Sequence, residues 1–197
     1  MTELLLASAS PRRADLLRQL GVSFSVQGAD IDETRLDDEP ADSYVQRLAR
    51  EKAAAVAGVS GHAGAVLAAD TCVVLGDELL GKPVDRMDAI AMLARLSGRD
   101  HHVVTGVCLQ LREERQECIS QTRVSFVSLD RETCEAYVDT GEPYDKAGGY
   151  GIQGVAGAFV SSIEGSYSGV VGLPLAETWQ MLRLAGIGSA LRVDVDE

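Results

Sequence analysis

Residues 4–13, Leu-Leu-Leu-Ala-Ser-Ala-Ser-Pro-Arg-Arg, constrain this chain more than any other stretch. The apolar run 4–7 predicts a buried strand that breaks into a hydroxyl-rich turn. Pro11 suits the start of a helix, because its fixed φ matches the first helical position and its missing N–H is not needed there. Ser10 stands at the N-cap position. Leu16, Leu17 and Leu20 sustain the helix until Gly21 ends it. Strand, turn and helix start together present free backbone amides and the Ser8 and Ser10 hydroxyls at one point, which suits an anion. Arg12 and Arg13 fall in the first helical turn, where the macrodipole disfavours each cation by about 0.3–1 kcal/mol. A bound anion turns that cost into a gain. The alternative is a solvated arginine pair on an ordinary capped helix.

At 197 residues, 46% apolar and 24% charged, the chain has the size and composition of one globular domain, with room for two lobes on one sheet. No apolar run reaches the length of a membrane span, and Met1-Thr2-Glu3 lacks the basic start of a signal peptide. Cys72, Cys108, Cys118 and Cys134 have no zinc spacing, so reduced thiols and a cytoplasmic location are expected. The net charge of −12 argues against nucleic acid as a partner. A phosphorylated small molecule remains compatible with it if the few cations converge.

Beyond Gly21 the pattern predicts a strand at 22–26 and an acidic loop holding Asp30, Asp32, Glu33, Asp37, Asp38 and Glu39. Such a run is ordinarily a solvated loop. A helix is expected over roughly 44–57, capped by Asp42 or Ser43. Its apolar stripe is Val45, Leu48, Ala49 and Val56, and Lys52 lies on that stripe, either snorkelling to the rim or pointing into a cleft. Residues 58–64 form a loop in which His62 has no evident partner. The run 65–69 predicts a buried strand ending at Asp70-Thr71, continued by 72–75. A carboxylate there costs several kcal/mol unless paired, hydrogen-bonded or metal-bound, although a turn-forming aspartate is the structural alternative. Gly76-Asp77 marks a hairpin, and Lys82 follows in Gly81-Lys82-Pro83.

Asp85 caps a helix with Ala89, Met92, Leu93 and Leu96 inward, closed by Ser97-Gly98. His101 and His102 open a strand running to Leu111; neighbours on a strand face opposite ways, so the pair is a poor metal site. A return strand is expected from Cys118 to Phe126, then a helix of about ten residues capped by Asp130 and stopped at Gly141. Residues 141–172 hold nine of the twenty glycines, too interleaved with Tyr, Ile, Phe and Val for a plain linker. The run 170–174 predicts a second strand, Gly turn and Pro-started helix, burying Leu175, Trp179 and Leu182 and ending at Gly186. The acidic residues beyond 190 form a tail.

Ser8-x-Ser10-Pro11-Arg12-Arg13, Leu48-Ala49-Arg50-Glu51-Lys52-Ala53, Ala68-Ala69-Asp70-Thr71, Gly81-Lys82-Pro83, Asp145-Lys146-Ala147-Gly148 and Val171-Gly172-Leu173-Pro174 together resemble the signature of the Maf family of nucleotide pyrophosphatases. The resemblance implies an α/β fold: a single two-lobed, Maf/ITPase-like domain over 1–190, with a mixed twisted β-sheet flanked by helices and an active-site cleft between lobes, followed by the tail 191–197. It implies hydrolysis of a nucleoside triphosphate between the α and β phosphates. Asp70 would activate water, and Glu33 with Asp70 would hold Mg²⁺ or Mn²⁺. Ser8, Ser10, Arg12, Arg13, Lys52 and Lys82 would hold phosphates. One branch of the family, which prefers dTTP and UTP, has Arg, Thr and Gln at the positions of Arg12, Thr71 and Gln153. A Gln amide can donate to O4 and accept from N3–H of uracil or thymine, but flipped it reads cytosine, which leaves CTP open. Gly149 and Cys72 depart slightly from the usual pattern. A homodimer is the family expectation. The competing reading is a non-catalytic nucleotide-binding regulator of septum formation, with a cell-division partner.

Overall fold

The computed structural model describes residues 3–60 and 64–190, which leaves His62 and the acidic tail at 191–197 outside the described residues. Seven strands form one mixed sheet: β1 (Leu4–Ala7), β2 (Phe24–Gln27), β3 (Ala65–Leu75), β4 (Glu78–Leu80), β5 (Asp100–Leu111), β6 (Glu114–Phe126) and β7 (Val160–Glu164). Their order is β2-β1-β3-β5-β6-β7, with β4 paired to β3. Parallel pairing joins β1 to β2 and β3, while β3–β4 and β6–β7 are antiparallel. Among the described residues six α-helices accompany them: α1 (Pro11–Gln19), α2 (Ala41–Ser60), α3 (Arg86–Leu96), α4 (Arg131–Val138), α5 (Tyr167–Val171) and α6 (Leu175–Leu184). The chain divides into two compact units, one of residues 1–70, 105–119 and 172–197, the other of 71–104 and 120–171.

The first unit opens as predicted. β1 is wholly buried, Pro11 begins α1, and Gly21 stands at φ 65° where the helix stops. Leu4 pairs with Phe24 on one side and Ala65 on the other, so α1 and α2 connect parallel strands. The apolar stripe of α2 (Val45, Leu48, Ala49, Ala53, Val56) is fully buried. Its core cluster with Leu5, Ala7, Val66, Ala68 and Cys108 is rich in small side chains. That lets the helix backbone come close to the sheet. A Cβ on Gly106 of β5 would lie 2.8 Å from the backbone of Val45, so no larger residue fits there without moving α2.

In the second unit α3 and α4 are capped as expected: Asp85 accepts from the Asp88 amide at 2.8 Å and Asp130 from the Thr133 amide at 2.8 Å. Its core is aromatic, with Phe126, Tyr137, Tyr150 and Phe159 packed among Leu80, Leu93, Leu96, Val103 and Val124. Residues 142–145, 147–149 and 155–159 form three short 3₁₀ turns that carry the chain through the glycine-rich segment.

Several sequence expectations need correction. Residues 167–171 are a short helix, where 170–171 had the pattern of a strand; Ser166 caps it, accepting from the Gly169 amide at 3.0 Å. Pro174 is the N-cap of α6 and not its first helical residue, and α6 buries Thr178, Met181 and Leu182, leaving Leu175 and Trp179 half-buried. β2 begins two residues later than predicted, α2 begins at Ala41 and extends to Ser60, and β6 starts four residues earlier, at Glu114. β3 does not stop at Asp70 but runs unbroken through it. All four cysteines are free, and among the described residues no helix is long and apolar enough to cross a membrane.

Candidate active site

The turn after β1 is held by its own hydroxyl. Ser8 is 5% exposed, and its Oγ accepts from the Ser10 amide at 3.1 Å and from Arg13 Nη1 at 3.5 Å. Ser10 occupies the N-cap of α1 without a side-chain capping bond, so its hydroxyl is not spent on the helix. Arg13 Nε donates to the Gly172 carbonyl at 2.8 Å, which turns the guanidinium inward. Burial lowers the Arg13 pKa below the ordinary guanidinium value. The charge of Asp70 opposes that shift, Arg12 adds to it and Glu33 opposes it.

Lys52 stands on the inward stripe of α2 and does not snorkel to the rim. It is 7% exposed, as is Asp70 in the middle of β3. Lys52 Nζ lies 2.6 Å from Asp70 Oδ1 and 2.6 Å from Glu33 Oε1. This pairing explains why a strand can carry a carboxylate through its buried stretch: a lone buried charge is costly, a paired and hydrogen-bonded one is tolerated. Both carboxylates meet the one Lys52 ammonium.

Glu33 belongs to an irregular loop, yet its position is fixed from α2. Tyr44 Oη donates to the Glu33 carbonyl at 3.0 Å, and Arg47 Nη2 donates to the Thr34 carbonyl at 3.1 Å. Arg47 also grips Glu39 with Nε to Oε1 at 2.7 Å and Nη2 to Oε2 at 2.8 Å. Glu39 accepts from the Leu36 amide as well, at 3.2 Å, and the Arg47 hydrogen bonds, more than any other influence, hold its carboxyl below the ordinary range. Glu39 is therefore 8% exposed and paired, not one more solvated acid of the run. Nothing in the acidic stretch marked it out. Arg47, four residues before Glu51 on a helix, carried only the signal of a surface ion pair.

Ser8, Ser10, Arg12, Arg13, Glu33, Lys52 and Asp70 all belong to the first unit. Arg12, Arg13 and Lys52 against Glu33 and Asp70 leave an excess of positive charge in a chain of net charge −12. That local excess, at a helix start, suits a polyanion. Thr71, Lys82 and Gln153 belong to the second unit. Thr71 follows Asp70 on β3, so strand alternation turns the two side chains to opposite faces. Lys82 and Gln153 are exposed. Their segments are tied together, because the Gly148 amide donates to the Gly81 carbonyl at 2.9 Å.

Among the described residues no three His, Cys, Asp or Glu side chains gather into a closed metal cage. Glu33 and Asp70 are the carboxylates that could hold a magnesium ion, which is commonly bound by one or two carboxylates together with waters and substrate phosphates. Hard oxygen donors suit magnesium or manganese and not zinc.

A family model described as Maf-like protein matches residues 3–185. The dTTP/UTP pyrophosphatase of Myxococcus xanthus is 57% identical over 187 residues, covering 94% of each chain. The dTTP/UTP pyrophosphatase of Anaeromyxobacter sp. is 55% identical, covering 93% of this chain and 89% of that one. A solved structure of a nucleoside-triphosphatase / dITP/XTP pyrophosphatase from Mycobacterium abscessus shares 16% identity, covering 98% of this chain and 100% of that one, with a TM-score of 0.47. On the full-length match and the order of its motifs, this chain belongs to the Maf family.

Proposed function

We propose that this chain hydrolyses dTTP and UTP to the nucleoside monophosphate and pyrophosphate. The carrying observation is Lys52 Nζ at 2.6 Å from both Asp70 and Glu33, in the same unit as an arginine-bearing helix start. Two relatives more than half identical to it carry the name dTTP/UTP pyrophosphatase.

In this reading the amides at the start of α1, the Ser8 and Ser10 hydroxyls and the charges of Arg12, Arg13, Lys52 and Lys82 hold the triphosphate and offset its charge. Asp70 accepts a proton from water, whose oxygen attacks the α-phosphorus. The bond between that phosphorus and the α–β bridging oxygen breaks, and pyrophosphate leaves. Lys52 and the Arg47–Glu39 clamp keep Asp70 and Glu33 from moving during the exchange. Glu33 and Asp70 would hold Mg²⁺, or Mn²⁺, whose chemistry when bound is to neutralise charge on the phosphoryl oxygens. Arg12, Thr71 and Gln153 choose the base, the Gln153 amide meeting O4 and N3–H of uracil or thymine. A cytoplasmic location accompanies these substrates.

The test offers purified protein each common nucleoside triphosphate separately with Mg²⁺ and scores pyrophosphate against orthophosphate. Pyrophosphate from dTTP and UTP, with little from ATP or GTP, is expected. Orthophosphate as first product would move the cleaved bond and overturn the mechanism. Asp70→Asn is expected to lose about 10²–10⁴-fold in turnover while still binding nucleotide; a pure binding module would be indifferent to it.

A further inference from the structure

The residues that surround Gln153 form a clamp built on one carboxylate. Gln153 sits in the short loop Gly151–Val155, closed by the Gly154 amide donating to the Gly151 carbonyl at 3.0 Å. At the near end, the Gly151 amide donates to Tyr137 Oη at 3.2 Å. Tyr137 Oη in turn donates to Glu142 Oε1 at 3.0 Å. At the far end, Glu142 Oε2 accepts from the Val155 amide at 3.2 Å. Both flanks of the loop are therefore tied, one through a phenol and one directly, to the same carboxylate. A Cβ on Gly154 would collide with that carboxylate, so the loop lies directly on it.

The clamp is itself fixed. Tyr137 is 3% exposed, its ring meeting Phe159 edge-on at 5.2 Å between centroids. Burial raises its pKa, which keeps the phenol a donor. Glu142 has its backbone carbonyl held by Lys146 Nζ at 2.6 Å and its amide donating to Thr140 Oγ1 at 3.2 Å. The Thr140 hydroxyl donates to the Tyr137 carbonyl at 2.7 Å, closing the circuit through the end of α4.

We propose that Tyr137 and Glu142 are positioning residues that set the affinity for a uracil- or thymine-bearing nucleotide by holding the Gln153 loop in one conformation. This rests on the reading that Gln153 meets the base. A Gln amide reaches O4 and N3–H together only where the chain beneath presents it at the right place. The side chain is exposed, so burial does not place it. The backbone beneath it is what can be held, and Tyr137 with Glu142 holds it at two points.

The test measures kcat and KM for UTP in the wild-type enzyme, Tyr137→Phe, Glu142→Ala, Gln153→Ala and the double variant Tyr137→Phe/Gln153→Ala. Tyr137→Phe keeps the ring packing and removes only the hydroxyl. The KM for UTP should rise about tenfold in Tyr137→Phe and in Glu142→Ala, with kcat within about twofold of wild type. In the double variant KM should rise no further than in Gln153→Ala, because the clamp acts only through Gln153. A wild-type KM in folded Tyr137→Phe and Glu142→Ala, with KM raised in Gln153→Ala, overturns the clamp and leaves the base reading standing. An unchanged KM in Gln153→Ala overturns the base reading and the clamp with it. A further rise in the double variant assigns Tyr137 a route to the base other than Gln153 and likewise overturns the proposal.

Discussion

Acidification should destabilise this protein through His101 before most of its carboxylates are titrated. His101 is 1% exposed in the aromatic core of the second unit, its ring meeting Phe126 at 4.9 Å and Tyr150 at 5.4 Å, both edge-on. Nε2 shares a hydrogen bond of 2.8 Å with Tyr150 Oη, while Nδ1 is buried with no hydrogen-bond partner among the described residues. An imidazolium would carry two N–H groups and a charge into a place with one polar contact. Burial is the main reason the pKa falls from 6.5 to about 4; His102 pushes it further down and Asp100 partly restores it. The unfolded chain therefore binds a proton below pH 6.5 that the folded chain refuses until about pH 4. Stability is full above pH 6.5 and declines as pH falls through that window. Linkage puts the loss at about 2 kcal/mol by pH 5 and about 3 kcal/mol by pH 4. The assay is urea unfolding at pH 7.5, 6 and 5 for wild type and His101→Gln, with an imidazole NMR titration alongside. His101→Gln should be the less stable at pH 7.5 through lost packing, but its stability should fall by about 2 kcal/mol less down to pH 5. Parallel pH dependences, or a His101 resonance titrating near 6.5, would refute the reasoning.

Other perturbations probe the first unit. Lys52→Met leaves Asp70 buried beside a second carboxylate, and should cost about 3 kcal/mol and nearly all turnover; Mg²⁺ should raise its Tm in thermal melts more than it raises that of wild type, and equal shifts would count against Glu33 and Asp70 as the metal carboxylates. Gly106→Ala forces the α2 backbone away from β5 and should cost about 1–3 kcal/mol by overpacking, with reduced turnover because Lys52 rides on that helix; an unaltered melt and rate would refute the close approach. Glu39→Gln removes a carboxylate whose pKa Arg47 holds below its ordinary value of 4.5, so the wild-type advantage in Tm should be full above that pH and shrink as pH falls below it. A Tm gap that persists undiminished well below pH 4 would show the pair contributes nothing.

The first unit was the more legible because its signals are local. Pro11, Ser10 and Gly21 mark the ends of α1 by backbone preference alone, and Lys52 on the stripe of Val45, Leu48 and Val56 follows from helical periodicity. The residues that hold the site escaped for the opposite reason. Glu39 is one acid among many until Arg47, eight residues on, closes on it at 2.7 Å. Gly106 is an unremarkable glycine in a strand until Val45 is packed over it. The strand expected at 170–171 failed because two valines after Gly169 fit a strand by propensity, while Ser166 capping the Gly169 amide commits the segment to a helical turn. Tyr137 and Glu142 lie five residues apart, but the loop they clamp begins nine residues beyond Glu142, and no periodicity links them.

The two units answer one physical problem, placing a polar side chain accurately, by opposite means. The first unit packs alanines and a glycine under α2, so the helix backbone approaches the strands and a lysine reaches a carboxylate rooted in the sheet. Distance is short, and one ammonium at 2.6 Å from two acids fixes all three groups. The second unit must steady a glycine-rich loop, where backbone freedom is greatest and side chains available for packing are fewest. It does so with large rings bearing polar tips: Tyr137 and Tyr150 are buried by their rings and bonded through their hydroxyls. A Phe at position 137 would preserve the core and release the near end of the loop. Substitutions that leave stability nearly intact yet alter substrate choice should therefore concentrate in the second unit. In the first, the core that fixes α2 also fixes Lys52 against Asp70 and Glu33, and stability and turnover should fall together.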